Sequence, residues 1–356
     1  MSKTATAIYV LTQQGAITAA KLAASMDVDL YVPPSLGPID GAKPFDSLRA
    51  LVAKTFSAYR QHIFIAAAGV AVRCIAPHLR DKSIDPAIVV LDHHGRNVIS
   101  LLSGHLGGAN KLAQDVAEIL GGQAVITTAT DTENLPSLDI LALEFNMAIA
   151  NVRAVVQVNS ALLAGRPVVV NDPHNDLQLR GSAWEEFFVF TDSEAYAALS
   201  SDEKSTLARV TVTPALDGPT DMNLVLHPKV LHVGIGCRRG ARAEEILDLI
   251  ATSLAQLELS VGAIASIASV DIKQNEQGLL DTAAELNVPL RFFSAKELDA
   301  VPVSNPSPKA QEVLGVDGVC EPAAMLAAGE NARLRMPKLA RRGITISIAQ
   351  EAASHG

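Results

Sequence analysis

Short apolar runs alternate with helical patterns from the start of the chain, and this alternation limits the possible folds more than any other feature. Strand patterns over 7–11 and 28–32 enclose a helical pattern over 15–26, and a helix over 45–60 leads to a strand over 63–67. Helices of that length serve as crossovers between parallel strands, so βαβ units are expected. Composition agrees, since 49% of residues are apolar while only 4% are aromatic. Cores built from Ala, Val, Ile and Leu suit parallel sheets covered on both faces and disfavour an all-β sandwich. Ile88–Leu91 and Val98–Leu102 flank the turn Asp92-His93-His94-Gly95-Arg96-Asn97 and read as a hairpin. Later, strands over 230–236, 263–269, 289–293 and 344–348 alternate with helices over 241–257, 275–286 and 322–328, with short helices near 295 and 309.

At 356 residues the chain exceeds the roughly 100 to 200 of one domain. The expected class is α/β. An N-terminal α/β domain over 1–136 carries a parallel-rich sheet with flanking helices, a small α/β middle segment spans 137–224, and a separate α/β C-terminal domain spans 228–351. The middle segment has helices near 137–146 and 152–164 and a strand over 168–170, then reads as polar and irregular over 171–224. Pro, Gly and Asp interrupt the pattern between Pro214 and Pro228, which marks the expected boundary.

The formal charge of −9 argues against nonspecific nucleic-acid binding, which needs a dominating positive field. Cys74, Cys237 and Cys320 are widely spaced, so neither a disulfide framework nor a zinc ribbon is expected. No uncharged apolar run approaches the roughly 18 residues needed to span a bilayer. A cytoplasmic protein that engages no membrane is the expectation.

Chemistry concentrates in Ser103-Gly104-His105-Leu106-Gly107-Gly108-Ala109-Asn110, between a strand and a helix patterned from Leu106 to Leu120. Glycines let backbone approach a ligand, a helix start offers N–H groups to an anion, and His105 suits proton transfer near neutral pH. A tight turn with a surface histidine is the plainer alternative. Thr127-Thr128-Ala129-Thr130-Asp131 ends the next strand pattern, where Asp131 could orient His105 or simply cap a helix. Gly234-Ile235-Gly236-Cys237-Arg238-Arg239-Gly240 places its third glycine one position late for a dinucleotide turn and lacks a Walker lysine pattern. Its arginines suit carboxylates instead. Lys273 and Glu276 follow another strand, where they could face a ligand or pair with each other. Glu321 precedes Pro322 at an expected helix start, which favours an acid in any case. His93, His94 and His105 form no closed ligand set, so no metal site is expected.

Two separate regions resemble one family. Ile99 to Asn110 with Ile126 to Asp131 resembles the N-terminal signature of cobalt-precorrin-5A hydrolases, the CbiG family. Val233 to Gly240, Ser269 to Glu276 and Val319-Cys320-Glu321-Pro322-Ala323-Ala324 resemble its C-terminal domain, with Cys320 and Pro322 departing from the small residues expected there. The resemblance implies a hydrolase acting on carbon–carbon bonds in anaerobic, early-cobalt vitamin B12 synthesis. It would open the δ-lactone of cobalt-precorrin 5A and release acetaldehyde, giving cobalt-precorrin 5B. The implied partner is an anionic cobalt-tetrapyrrole whose cobalt arrives with it, so no cofactor is expected. Contacts with other enzymes of the pathway, and a homodimer, stay open. On this basis His105 is expected as general base, oriented by Asp131, with Glu321 as a second acid or base. Ser103, Gly104, Gly107, Gly108, Asn110 and Thr128 are expected to bind substrate, with the N–H groups of Gly107 and Gly108 at the oxyanion. Arg238, Arg239 and Lys273, with Arg73, would hold its carboxylates, and Gly234, Gly236 and Glu276 are expected to bind substrate as well. A non-catalytic corrinoid carrier serving a methyltransferase is the alternative.

Overall fold

The computed structural model describes residues 6–81, 84–105, 107–128, 133–218 and 220–352. The chain divides into two compact units, with the division between Ile140 and Leu141. The first runs β1 (Thr6–Val10), α1 (Gln13–Ala23), β2 (Val28–Val32), β3 (Ala42–Pro44), α2 (Leu48–Thr55), β4 (Gln61–Ile65), α3 (Ala68–Ile75), β5 (Ala87–Leu91), β6 (Asn97–Leu102), α4 (Ala109–Leu120) and β7 (Gln123–Val125). Its seven strands lie in the order β3-β2-β1-β4-β5-β6-β7. The first five are parallel, β6 runs antiparallel to β5, and β7 is parallel to β6.

Alternate side chains of these strands enter two different cores, as the two-residue repeat of a strand requires. Ile8, Val10, Ile63 and Ile65 pack with Leu22 of α1 and with Leu112 and Val116 of α4. Ala7, Tyr9 and Phe64 face the other way, onto Val52 and Phe56 and onto Ala71 and Ile75 of α3. Burial on both faces is why β5 is apolar throughout and β1 is buried at every position. Strand β3 and helix α3 were not expected from sequence. Helix α2 starts later than its apolar pattern because Ser47 caps it, its hydroxyl accepting from Ala50 N–H. Helix α4 likewise starts at Ala109, because Gly108 before it is left-handed at φ 83°.

Helix α5 (Leu138–Glu144) crosses the division. The second unit continues with β8 (Met147–Ile149), α6 (Val152–Leu163), β9 (Val168–Asn171), β10 (Phe188–Phe190), α7 (Glu194–Ala198), α8 (Ser201–Thr206), β11 (Arg209–Val212) and β12 (Asn223–Pro228). These strands form a second sheet, β10-β9-β11-β12-β8, parallel except for β8. The stretch 171–224 is therefore not the irregular segment that the sequence led us to expect. Strands of three or four residues are too short to declare a period among polar neighbours. Within the expected boundary stretch 214–228, Leu224, Val225 and Leu226 of β12 are fully buried in this sheet.

A third sheet, β15-β14-β13-β17-β16, is built from β13 (Leu231–Cys237), α9 (Ala243–Gln256), β14 (Ile264–Val270), α10 (Gln277–Glu285), β15 (Leu290–Phe293), α11 (Ala295–Asp299), α12 (Pro308–Leu314), α13 (Cys320–Ala328), β16 (Arg333–Arg341) and β17 (Ile344–Gln350). β13, β14 and β15 are parallel, and β17 pairs antiparallel with both β13 and β16. Among the described residues, no helix is long and apolar enough to cross a membrane.

Candidate active site

The loop from Ser103 to Gly108 leaves β6 and enters α4, and most of its polar backbone is spent on its own shape. Ser103 lies in the left-handed region at φ 58°, an uncommon conformation outside glycine. Gly108 N–H donates to His105 O at 2.8 Å, Ala109 N–H to Ser103 O at 3.0 Å and Asn110 N–H to Gly104 O at 3.0 Å. The helix start is thus capped by loop carbonyls rather than held open for an anion. Of the two glycine N–H groups expected at an oxyanion, Gly108 is committed internally.

The glycines serve the same compactness. A Cβ on Gly104 would lie 2.6 Å from Asn110 Oδ1, and one on Gly107 would lie 2.3 Å from Ser103 Cβ. Asn110 is buried, accepting from Ser100 Oγ at 2.6 Å and donating from Nδ2 to Thr128 Oγ1 at 3.1 Å. Asn110 and Thr128 therefore tie α4 and the segment after β7 back onto β6.

His105 is the member of this loop whose ring is held by a hydroxyl and a carboxylate. Its Nδ1 lies 3.2 Å from Ser137 Oγ and 3.6 Å from Asp139 Oδ2, and its side chain is 18% exposed. Ser137 Oγ donates to Asp139 Oδ1 at 2.5 Å. With that hydroxyl proton already engaged, Nδ1 must be the donor to Ser137, which places the lone pair of a neutral ring on Nε2. Burial pushes the Asp139 carboxyl up, but hydrogen bonds from His105 and Ser137 outweigh it and hold the group below the usual carboxylate range. A buried anion beside Nδ1 stabilises the imidazolium that forms when Nε2 takes a proton. Asp131, expected in this role, lies outside the described residues.

In the second unit, the C-terminal ends of β13 and β14 bring Cys237, Arg238, Arg239, Lys273 and Glu276 into one neighbourhood. Lys273 Nζ pairs with Glu276 Oε2 at 2.9 Å, and Gly240 N–H donates to Glu276 Oε1 at 2.6 Å. Arg238 donates to Glu245 Oε2 at 2.8 Å and to Arg342 O at 2.7 Å. Arg239 is exposed. Gly234 is not a ligand cradle, because a Cβ there would fall 1.9 Å from Cys320 O, where α13 packs onto β13. Gly236 meets Thr345 Oγ1 in the same way at 2.5 Å.

Glu321 is 2% exposed. Its oxygens accept from Ser304 N–H at 2.7 Å, Lys338 N–H at 2.7 Å and Asn305 Nδ2 at 3.3 Å. Burial raises this carboxyl, yet the Lys338 and Ser304 amides bring it below its ordinary range. It is neither a helix cap nor an available base, but an anchor joining the 304–305 loop to β16. Burial pushes the Cys320 thiol up to about 11, away from nucleophilic chemistry. Arg73, in the first unit, is exposed and donates to Gly69 O.

Three family models cover most of the chain: Cobalamin synthesis G N-terminal over 50–131, Cobalamin biosynthesis central region over 136–228 and Cobalamin synthesis G C-terminus over 231–349. A cobalt-precorrin-5A hydrolase from Salmonella typhimurium is 33% identical over 351 residues, 96% of each chain. One from Priestia megaterium is 34% identical over 310 residues, 85% of this chain and 82% of the relative. The chain belongs to the CbiG family. A solved structure titled as a cobalamin biosynthesis protein G homolog from Sulfolobus solfataricus is 24% identical over 98% of each chain, with a TM-score of 0.37. As a CbiG protein the chain is a hydrolase of cobalamin biosynthesis.

For this CbiG chain, reasoning from sequence singled out His105 but overlooked Ser137 and Asp139. Both stand in Ser137-Leu138-Asp139 at the start of α5, a pattern that reads as an ordinary acidic helix start. Only the return of that segment to the loop after β6 turns it into a partner for the histidine.

Proposed function

We propose that this chain opens the δ-lactone of cobalt-precorrin 5A with water and expels acetaldehyde, using His105 as the base in both steps. The observation that carries this reading is the Asp139–Ser137–His105 arrangement, which orients an imidazole with its basic nitrogen on Nε2. The names of the two relatives supply the substrate.

In the first step Nε2 takes a proton from water as its oxygen bonds to the lactone carbonyl carbon. The carbon–oxygen ring bond then breaks, and the departing oxygen takes that proton back as a hydroxyl. Gly107 N–H, which the loop does not use among the described residues, is the donor we assign to the transient oxyanion. In the second step Nε2 removes the proton of the freed hydroxyl. The oxygen electrons form the aldehyde carbonyl, the adjacent carbon–carbon bond breaks, and its electron pair passes into the conjugated macrocycle. Cobalt belongs to the substrate.

His105→Ala is expected to lower acetaldehyde release from cobalt-precorrin 5A by about a hundredfold or more, the ordinary worth of a general base. Near-wild-type release by that variant would remove His105 from the chemistry. A wild-type protein that shifts the absorption spectrum of the tetrapyrrole without yielding acetaldehyde would be a carrier instead.

A further inference from the structure

The β16–β17 hairpin breaks the residue preference of its own turn. β16 ends at Arg341 and β17 starts at Ile344, and these two are register partners, so Arg342-Gly343 is a two-residue loop. Both of its residues are left-handed, Arg342 at φ 51° and Gly343 at φ 77°. Turns of that kind favour Asn-Gly or Asp-Gly, because a short polar side chain tolerates the left-handed region at least cost. An exposed arginine in the first place weakens the turn, so backbone preference does not explain it.

The turn is held against the loop after β13. Arg238 N–H donates to Gly343 O at 3.0 Å, and its guanidinium donates to Arg342 O at 2.7 Å and to Glu245 Oε2 at 2.8 Å. This brace sets Arg341 and Arg342 beside Arg242, which precedes α9, around a cavity of 170 Å³. A whole small molecule needs roughly 300–1,000 Å³, so the cavity suits one arm of a larger ligand. Three acids share its lining, Glu244, Glu245 and Asp248. Glu245 is taken up by Arg238 and by Arg242 at 3.8 Å, and Asp248 by Arg341. Arg342 and the neighbouring Arg239 enter no ion pair among the described residues, and five guanidinium groups against three carboxylates leave this surface positive on a chain of formal charge −9.

We propose that this cavity binds a carboxylate arm of the tetrapyrrole, with Arg342 as its principal contact, as a site that belongs to the second unit by itself. A guanidinium meets a carboxylate with two parallel hydrogen bonds, and the fork of Arg342 is available for that at the rim. The inference rests on the reading of the chain as a hydrolase of cobalt-precorrin 5A, which supplies the carboxylates, and adds the hairpin residues that take one. Inorganic phosphate offers the same oxyanion chemistry. Glu244 on the lining opposes a dianion more than a single carboxylate, which favours the carboxylate.

Arg342→Asn separates charge from architecture, because asparagine suits this turn better than the residue it replaces. The full-length variant is expected to keep or raise the melting temperature. Its Kd for cobalt-precorrin 5A, from absorption titration at low salt, is expected to rise about fivefold, with the gap closing as salt is added. Arg342→Lys keeps the charge without the fork and is expected to fall between the two. An unchanged Kd in Arg342→Asn, beside a wild type that binds the compound and releases acetaldehyde, would overturn the site and leave the function standing. Calorimetric titration with inorganic phosphate tests the other source. A phosphate affinity that falls in Arg342→Asn while that for cobalt-precorrin 5A holds would overturn the carboxylate assignment. A wild type that neither binds the compound nor releases acetaldehyde would overturn the functional reading and this inference with it.

Discussion

His105, Ser137 and Asp139 show how a histidine is given one role by its neighbours. The neutral Nδ1–H tautomer is held by a serine whose own proton goes to a buried carboxylate. Asp139→Asn would keep the shape while removing the anion and permitting the other tautomer. It is expected to cut acetaldehyde release on the order of a hundredfold or more with little change in substrate Kd. A changed Kd with an unaffected turnover would make Asp139 a binding residue. A different histidine contributes to acid stability. His62 is fully buried between Tyr9 and the carbonyl of Phe56, and burial lowers its pKa to about 4 from 6.5. The unfolded chain therefore binds more protons than the folded one between those values, so this contribution is complete above pH 6.5 and is lost as pH falls toward 4. The loss is about 3 kcal/mol. Urea unfolding from pH 7 to 4.5 should show that slope in wild type and a flatter one in His62→Phe. Asp139 and Glu321, held below the usual carboxylate range, contribute their pH dependence at lower pH.

At the scale of elements, Gly104 and Gly107 of one motif and Gly234 and Gly236 of the other turn out to be packing devices. Gly234 lies in a strand whose neighbours Val233 and Ile235 are fully buried, and the backbone of α13 occupies the place its Cβ would take. Neither the carbonyl of Cys320 nor the strand can yield cheaply, so Gly234→Ala is expected to destabilise by about 3 kcal/mol or more. Denaturant unfolding measures this directly, and a loss below about 0.5 kcal/mol would show that α13 can shift to make room. The same physics explains why a glycine-rich loop looked like an anion cradle in sequence. Permissive backbone is needed both to approach a ligand and to approach another part of the chain, and residue identity alone does not separate the two. Strands β3, β10 and β11 escaped notice for a related reason. With three or four residues each, they owe their extended form to neighbours in the sheet rather than to a pattern of their own.

Over the whole molecule, a formal charge of −9 and a carboxylate-rich substrate would repel each other unless basic groups act locally. Arg238 and Lys273 are largely taken up by Glu245 and Glu276, which leaves Arg239 as the exposed cation of that motif. Arg239→Glu is expected to weaken the hold of the second unit on a carboxylate-rich ligand about tenfold at low salt, with the difference shrinking as ionic strength rises. Equal affinity in titrations at low salt would exclude that surface from binding. The sequence by itself determined the α/β class, the succession of most strands and helices and the choice of His105 as candidate base. Each of these is written locally, in the period of apolar residues or in a side chain that titrates near neutral pH. Tertiary structure alone decided that Asp139 and Ser137 reach His105, that Glu321 is an anchor, and that the turn carrying Arg342 meets the loop after β13. Those outcomes depend on which distant segments a sheet brings together and which N–H groups are already satisfied, and no local pattern records either.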